Sequence, residues 1–324
     1  IQGGMGVRIS GSRLAGHVAK SGGIGLIAAA GLALNSEHYT GKNYFAADRQ
    51  ALIDELHKAY EIAPDGVVGV NAMVAVSNYD ECIVAACEGG AKVIVSGAGL
   101  PMNLPGLTAD YPDVALVPIV SSVKAAELIC RKWHKSFQRL PDAIVVEDPG
   151  TAGGHLGEKL ELIGTGQYDQ YGTVRGVKTY LKEKWNLEVP VIAAGGVWDR
   201  KDLQYALAQG ADGVQMGSRF VVTEECDADE SFKQAYLNCS KEDIGLIMSP
   251  AGLPGRALTA NIEQVRQRDV ALDIRCPSGC LKKCAYKTGQ ERFCIVHALD
   301  RAQQGDMQTG LIFCGSNAYK AEEI

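Results

Sequence analysis

Short apolar runs alternate with longer amphipathic stretches along most of the chain. The runs Ile24–Ala28, Val67–Val74, Val93–Val95, Ala115–Val120, Ala143–Val146, Val189–Ala193 and Gly213–Met216 are rich in Val and Ile and predict strands. Between them, Ala46–Ile62, Asp80–Glu88, Val123–Ser136, Val174–Lys184 and Arg200–Gln209 predict helices. Ile1 and Gln2 read as the end of a further strand, which brings the strands to eight. Strands of this kind, separated by helices, fit a parallel sheet buried on both faces. Several end in glycine, at Gly3-Gly4, Gly97, Gly195-Gly196 and Gly217, as at a ligand-binding barrel mouth. The pattern therefore predicts an α/β fold of the TIM (β/α)8 barrel type. A doubly wound open sheet is the alternative, but no GxGxxG follows an early strand to support it.

The rhythm changes after Phe220. Glu230–Cys239 predicts one helix, GLPGR (Gly252–Arg256) a turn, and Cys294–Gln304 a helix within a Cys-rich tail that starts past about Arg275. The expected division is a barrel over 1–255, with a helical insertion after the eighth strand, and a small helical, Cys-rich tail or lid over 256–324.

Composition narrows the function. A chain of 324 residues that is 46% hydrophobic can bury a real core, and one barrel fills this length. The 32 basic and 38 acidic residues, net −6, are interspersed rather than blocked, so neither a nucleic acid nor a membrane is implied as a partner. No apolar stretch reaches the roughly 18 residues of a membrane-spanning helix. Ile1–Gly6 reads as a strand end rather than a signal peptide, with the true start expected upstream. Ten cysteines in an enzyme-like chain point to a reducing cytoplasm, with metal or cluster ligands rather than disulfides. An oligomer is compatible with all of this.

Candidate chemistry gathers at the strand ends. AGGHLG (Ala152–Gly157) follows the sixth expected strand, which ends in Glu147. Its glycines allow close backbone approach, and His155 is a side chain suited to proton transfer near neutral pH. Glu147 either faces the site or pairs with a nearby amide. The seventh and eighth strands end in the amide-rich turns Gly195-Gly196 and Gly217-Ser218, where barrels commonly bind phosphate. Among the other histidines, His17, His57 and His134 fall on predicted helices and read as surface or satisfied groups. His38 lies in a loop expected to cover the pocket.

Six motifs in order, IQGGMG (1–6), GVNAMV (69–74), SGAG (96–99), AGGHLGE (152–158), AAGG (193–196) and QMGSRF (215–220), resemble the nitronate monooxygenase family over roughly residues 1–255. That family, formerly called 2-nitropropane dioxygenases, includes flavin-dependent enoyl-acyl-carrier-protein reductases. The resemblance implies an FMN-binding TIM barrel. It places Gly3, Gly4 and Met5 against the flavin ring, Asn71 at its edge, and Gly195, Gly196, Gly217 and Ser218 at its phosphate. Ser96, Gly97 and Gly154 are expected to shape the pocket. His155 would face the flavin near its reactive nitrogen as the catalytic residue, and the loops 31–45 and 99–113 would set specificity.

The tail holds a second pattern. Cys276, Cys280, Cys284 and Cys294 have the spacing C-x3-C-x3-C-x9-C, with Cys314 further on. Four cysteines so close suffice for an iron–sulfur cluster or a Zn site, and unliganded thiols remain the bland alternative. Cys280 and Cys284 would share one face of a helix. The leading expectation is an FMN-dependent oxidoreductase that oxidises nitronates or nitroalkanes with O2. Close behind stands an enoyl-thioester reductase using NAD(P)H, with electron relay through a Cys-ligated cluster. Two other classes stay open: a flavin-free sugar-phosphate barrel, and an electron-transfer flavoprotein module.

Overall fold

The computed structural model describes residues 1–271, 276 and 278–324, so the expected start of the tail at Arg275 lies outside the described residues. In chain order come β1 (Ile24–Ala28), β2 (Val67–Met73), β3 (Val93–Gly97), β4 (Ala115–Val120), β5 (Ile144–Glu147), β6 (Gly154–His155), β7 (Val191–Ala194) and β8 (Gly213–Gln215). All but β6 form one parallel sheet in the order β1-β2-β3-β4-β5-β7-β8. Gln2 forms parallel bridges to both Gly25 and Met216, which closes the row on itself. The closing bonds run from Gln2 N to Ile24 O (2.9 Å) and from Gly3 N to Met216 O (2.8 Å). The expected first strand of the barrel is thus present as a single paired residue.

Alternation along each strand divides the core in two. Leu26, Val93, Val95, Val117, Val145, Ile192 and Ala194 fill the barrel interior. Their neighbours Ile27, Val70, Ile94, Leu116, Val146 and Ala193 face outward into the helical layer. The helices expected between the strands are found at Tyr44–Ile62, Tyr79–Glu88, Val123–Phe137, Gln170–Trp185 and Arg200–Ala208. Three carry side-chain caps, from Ser122, Asp169 and Asp199. A further helix, Ser12–Lys20, has no such cap and is not apparent from the hydrophobic pattern. Its first amides are held from afar: Asp227 accepts from Gly11 N and Leu14 N, and Glu55 accepts from Ser12 N.

Beyond the barrel, β9 (Ile244–Met248) and β10 (Pro254–Leu258) form an antiparallel hairpin. The other edge of β10 pairs with β6 and with β11 (Ile312–Phe313). This corrects the expected turn at Gly252–Arg256: the turn closes earlier, with Gly252 N donating to Ser249 O (2.8 Å), and Pro254–Leu258 is strand. Pairing on both edges overrides the local glycine–proline signal. The division expected between residues 255 and 256 falls inside β10. The helix Ile295–Gln303 buries Ile295, Ala298 and Leu299 in the same core as the outer layer of the barrel. Among the described residues, no helix is long and apolar enough to cross a membrane.

Candidate active site at the barrel mouth

A cavity of about 510 Å³ opens at the carboxyl ends of the strands, between the barrel and the small antiparallel sheet. The barrel side contributes Gly3, Gly4 and Met5 from the closing strand, Asn71 from β2 and Gly97 from β3. It also contributes the turns Gly195-Gly196 after β7 and Gly217-Ser218 after β8. Gly195 and Gly196 have φ of 98° and 73°, a region costly for other residues. A Cβ on Gly4 would lie 2.3 Å from Cβ of Asn71, so the close approach of these two segments requires glycine. The Asn71 carboxamide makes no hydrogen bond with a described residue. Oε1 of Gln215 is buried with no donor. These are the fittings of a site for a flat, polar-edged ligand with an anionic tail: two free amide or carbonyl groups, glycine surfaces and amide-rich turns.

Ser96 is a correction. Its hydroxyl is fully buried and shares a 2.8 Å hydrogen bond with Tyr79 OH. The strand period turns it toward the helical layer while Gly97 faces the cavity. His38 is another: its Nε2 lies 2.6 Å from Asp54 Oδ2, and it does not line the cavity.

The opposite wall carries His155 and Gly154 on β6, strapped to β10. His155 Nε2 lies 2.8 Å from Ser249 Oγ, and its ring meets Phe313 edge-on at 5.1 Å. Nδ1 has no hydrogen-bond partner among the described residues. Burial lowers the pKa of His155 to about 4, so the imidazole is neutral at physiological pH. The loop before it is held by Arg256, whose buried guanidinium donates to the carbonyls of Ala152, Pro149 and Gly150. The C-terminal segment also reaches the mouth. Gly315 N donates to Ser218 Oγ (2.8 Å), and Asn317 Nδ2 donates to Gly196 O (2.6 Å). Ser249, Arg256, Phe313 and Asn317 are not marked by any motif. The one signal for Arg256 is an arginine inside a glycine–proline segment, which alone says little.

The charge of the cavity is one-sided. No Lys or Arg side chain is among the described residues lining it, whereas Asp48, Glu147 and Glu158 are. Asp48 is committed to Ala33 N and Asn78 Nδ2.

The four tail cysteines converge. Cys276, Cys280, Cys284 and Cys294 surround one small hollow, and Cys280, Leu281 and Ile295 line both it and the main cavity. Cys280 and Cys284 lie among bends and turns rather than on a helix, which corrects the shared helical face. Burial, followed by the neighbouring thiols, pushes Cys280 up to about 12, and burial pushes Cys294 to about 11. Both therefore stay protonated unless a metal takes them. Among the described residues, the only three potential ligands with atoms within 4.8 Å of one another are Glu37, His38 and Asp54.

A (β/α)8-type barrel with amide-rich turns at adjacent strand ends and a half-buried histidine across the mouth has the layout of a barrel enzyme. The family model for nitronate monooxygenase matches residues 1–324, and the chain belongs to that family. It is 27% identical over 262 residues to a (3aS,4S,5R,7aS)-5-hydroxy-7a-methyl-1-oxo-octahydro-1H-indene-4-carboxyl-CoA dehydrogenase of Rhodococcus jostii, covering 81% of this chain and 63% of that protein. The chain thus spans just under two thirds of that relative. A probable nitronate monooxygenase of Staphylococcus aureus is 32% identical over 127 residues, 39% of this chain and 34% of its own length. Among solved structures, FabK from Thermotoga maritima superposes with a TM-score of 0.72 at 24% identity, over 100% of this chain and 86% of that one. Nitroalkane oxidase from Streptomyces ansochromogenes also gives 0.72, at 18% identity, over 100% and 90%.

Proposed function

We propose that this protein is an FMN-dependent oxidoreductase acting on the α,β carbon–carbon bond of an acyl thioester, with an iron–sulfur cluster in the cysteine hollow as its electron relay. The observation that carries this reading is the lining of the cavity. A nitronate is an anion and would find no cationic side chain there, beside three carboxyl-bearing residues. A neutral thioester with an apolar chain would instead bury against Leu100, Ile119, Leu253, Ile295 and Phe313. The relatives that cover most of this chain are named for a CoA ester.

The residues present fit FMN. Amides of Gly195, Gly196 and Gly217 would hold the phosphate, Gly3, Gly4 and Met5 the ring, and Asn71 and the unpartnered Gln215 its polar edge. FMN would supply a two-electron acceptor or donor for hydride. Neutral His155, fixed through Nε2 by Ser249, would present Nδ1 to orient the thioester carbonyl. The shared wall at Cys280 would favour electron exchange between the cavity and a cluster held by the four cysteines, a role that redox-inert Zn could not fill.

Anaerobic mixing tests this. A saturated acyl-CoA is expected to bleach the visible flavin band, and propyl-2-nitronate is expected to cause no oxygen uptake under air. Nitronate-dependent oxygen uptake with an unreactive acyl-CoA would overturn the thioester reading. Iron and acid-labile sulfide assays on anaerobic protein decide the cluster separately.

A further inference from the structure

Glu147 is a half-buried acid at the cavity wall that neither the motifs nor the cavity's amide-rich turns account for. On β5, Val145 faces the barrel interior and Val146 the helical layer, so the strand period returns Glu147 to the interior. It stands level with Ala194 on β7 and lines the same cavity as His155. Its carboxyl accepts no hydrogen bond from any described residue; only its backbone carbonyl does, from Tyr168 OH at 3.1 Å.

Its charged neighbours are otherwise engaged. Asp148 accepts from Gly150 N (2.7 Å) and Thr151 Oγ1 (2.6 Å). Arg256 gives its donors to the carbonyls of Pro149, Gly150 and Ala152. A carboxyl half withdrawn from water, with no hydrogen-bond partner among the described residues, weakens a fold, and a glutamine of the same shape would avoid the charge. An acid kept in such a place and open to the substrate cavity is better explained by proton transfer.

We propose that Glu147 is a second catalytic residue of this cavity, an acid–base group whose carboxylate takes the proton leaving Cα of the substrate and returns it in the reverse direction. In oxidation of the thioester, the Cα–H electron pair becomes the new π bond, the proton goes to Glu147 and the hydride from Cβ goes to the flavin. His155 stays neutral and orients the carbonyl. Electrostatics agree. Burial, reinforced by Asp148 and opposed by Arg256, raises Glu147 to about 7, whereas burial lowers His155 to about 4. Two groups pushed apart in this way take different roles, and the one near neutrality is the better proton carrier. The assignment rests on the thioester reading only for the identity of the substrate.

The test pairs two measurements on the flavin-loaded protein and on Glu147→Gln, Glu147→Asp and His155→Ala. Infrared titration should show a protonated carboxyl lost around pH 7 in the wild type and in His155→Ala, and missing in Glu147→Gln. Stopped-flow bleaching by a saturated acyl-CoA should speed up as pH rises through about 7. Glu147→Gln should lose that limb and slow by about 100-fold or more, while Glu147→Asp keeps a titrating limb. A Glu147→Gln protein that retains the infrared transition, or bleaches within twofold of wild type at every pH, overturns the proposal and leaves the thioester reading standing. If acyl-CoA leaves the flavin unbleached while a neutral nitroalkane, which also carries a Cα–H, is oxidised, and Glu147→Gln removes the pH limb of that reaction, the thioester reading fails and Glu147 keeps its role.

Discussion

The barrel and the antiparallel cap over its mouth are built on opposite principles. In the barrel, neighbours in sequence are neighbours in the sheet, and each strand has an inward and an outward face that its own residues declare. In the cap, β6 consists of two residues and pairs with β10, a hundred residues further along the chain, which in turn pairs with β11 near the C-terminus. The barrel supplies fixed amides and glycine surfaces; the cap supplies His155, Ser249, Arg256 and Phe313. The fixed amides therefore belong to the local architecture, and the side chains that face them across the mouth to the long-range one. A site split this way can change what it accepts by altering the cap while keeping the barrel's turns.

If the two regions are separable, damage to the barrel should unfold the protein and damage to the cap should not. The largest effect is expected at Gly25 of β1, where an added Cβ would lie 1.9 Å from the Ala15 carbonyl oxygen. The oxygen is backbone of the helix and the Cβ would be fixed directly to the backbone of β1, so neither can swing away. Gly25→Ala should cost about 4 kcal/mol or more in urea unfolding, or prevent folding altogether. A loss below about 1 kcal/mol would refute the tight approach of the helix Ser12–Lys20 to β1.

A smaller and more confined effect is expected from Arg256→Met. It removes the donors from three loop carbonyls, where charge-assisted bonds are worth about 1.5–3 kcal/mol each. The barrel's far-UV circular dichroism and flavin content should persist. Hydrogen exchange at Leu156, whose amide is bound to Pro254 O, should speed up by at least tenfold, and turnover should fall by a similar factor. Equal loss of protection in β1 to β4 would show that cap and barrel unfold as one unit.

The same contrast explains what the sequence discloses. Val and Ile runs such as Val67–Val74 and Ala115–Val120 announce their strands because burial on both faces leaves almost no polar position, Asn71 at the mouth being the exception. Gly195-Gly196 and Gly217 announce the mouth because they sit at the ends of those runs. Ser96 misleads by one residue: a motif gives its neighbourhood, but only the period relative to Val95 and Gly97 says which way it faces. The helix Ser12–Lys20 is hidden because Asp227 and Glu55, far along the chain, act as its caps. Arg256 and Ser249 are hidden for the same reason, since their partners are distant carbonyls and a distant histidine. The cysteine spacing announces a shared site, though not the turns that carry it.

The finest distinction lies within the cavity, between the acid of the barrel strand and the histidine of the cap. His155 has an ordinary value of 6.5 and a folded value of about 4, so between these limits the unfolded chain binds more protons. Its contribution to stability is present above 6.5 and is lost as pH falls toward 4. Glu147 moves the other way, from 4.5 to about 7, so its contribution is present below 4.5 and is lost as pH rises through about 7. Each slope is worth on the order of 3 kcal/mol across its window, and between pH 4.5 and 6.5 the two oppose each other. Wild type should therefore show little net dependence from this pair. His155→Gln should expose the glutamate slope and become relatively less stable at pH 7 than at pH 5. Glu147→Gln should expose the histidine slope and become relatively less stable at pH 5. Urea midpoints of the three proteins at these two pH values decide it, because the other titrating groups cancel in the differences. Parallel shifts in the two variants would mean that the acid and the histidine titrate as one coupled unit, and that the division between barrel and cap stops at the cavity they share.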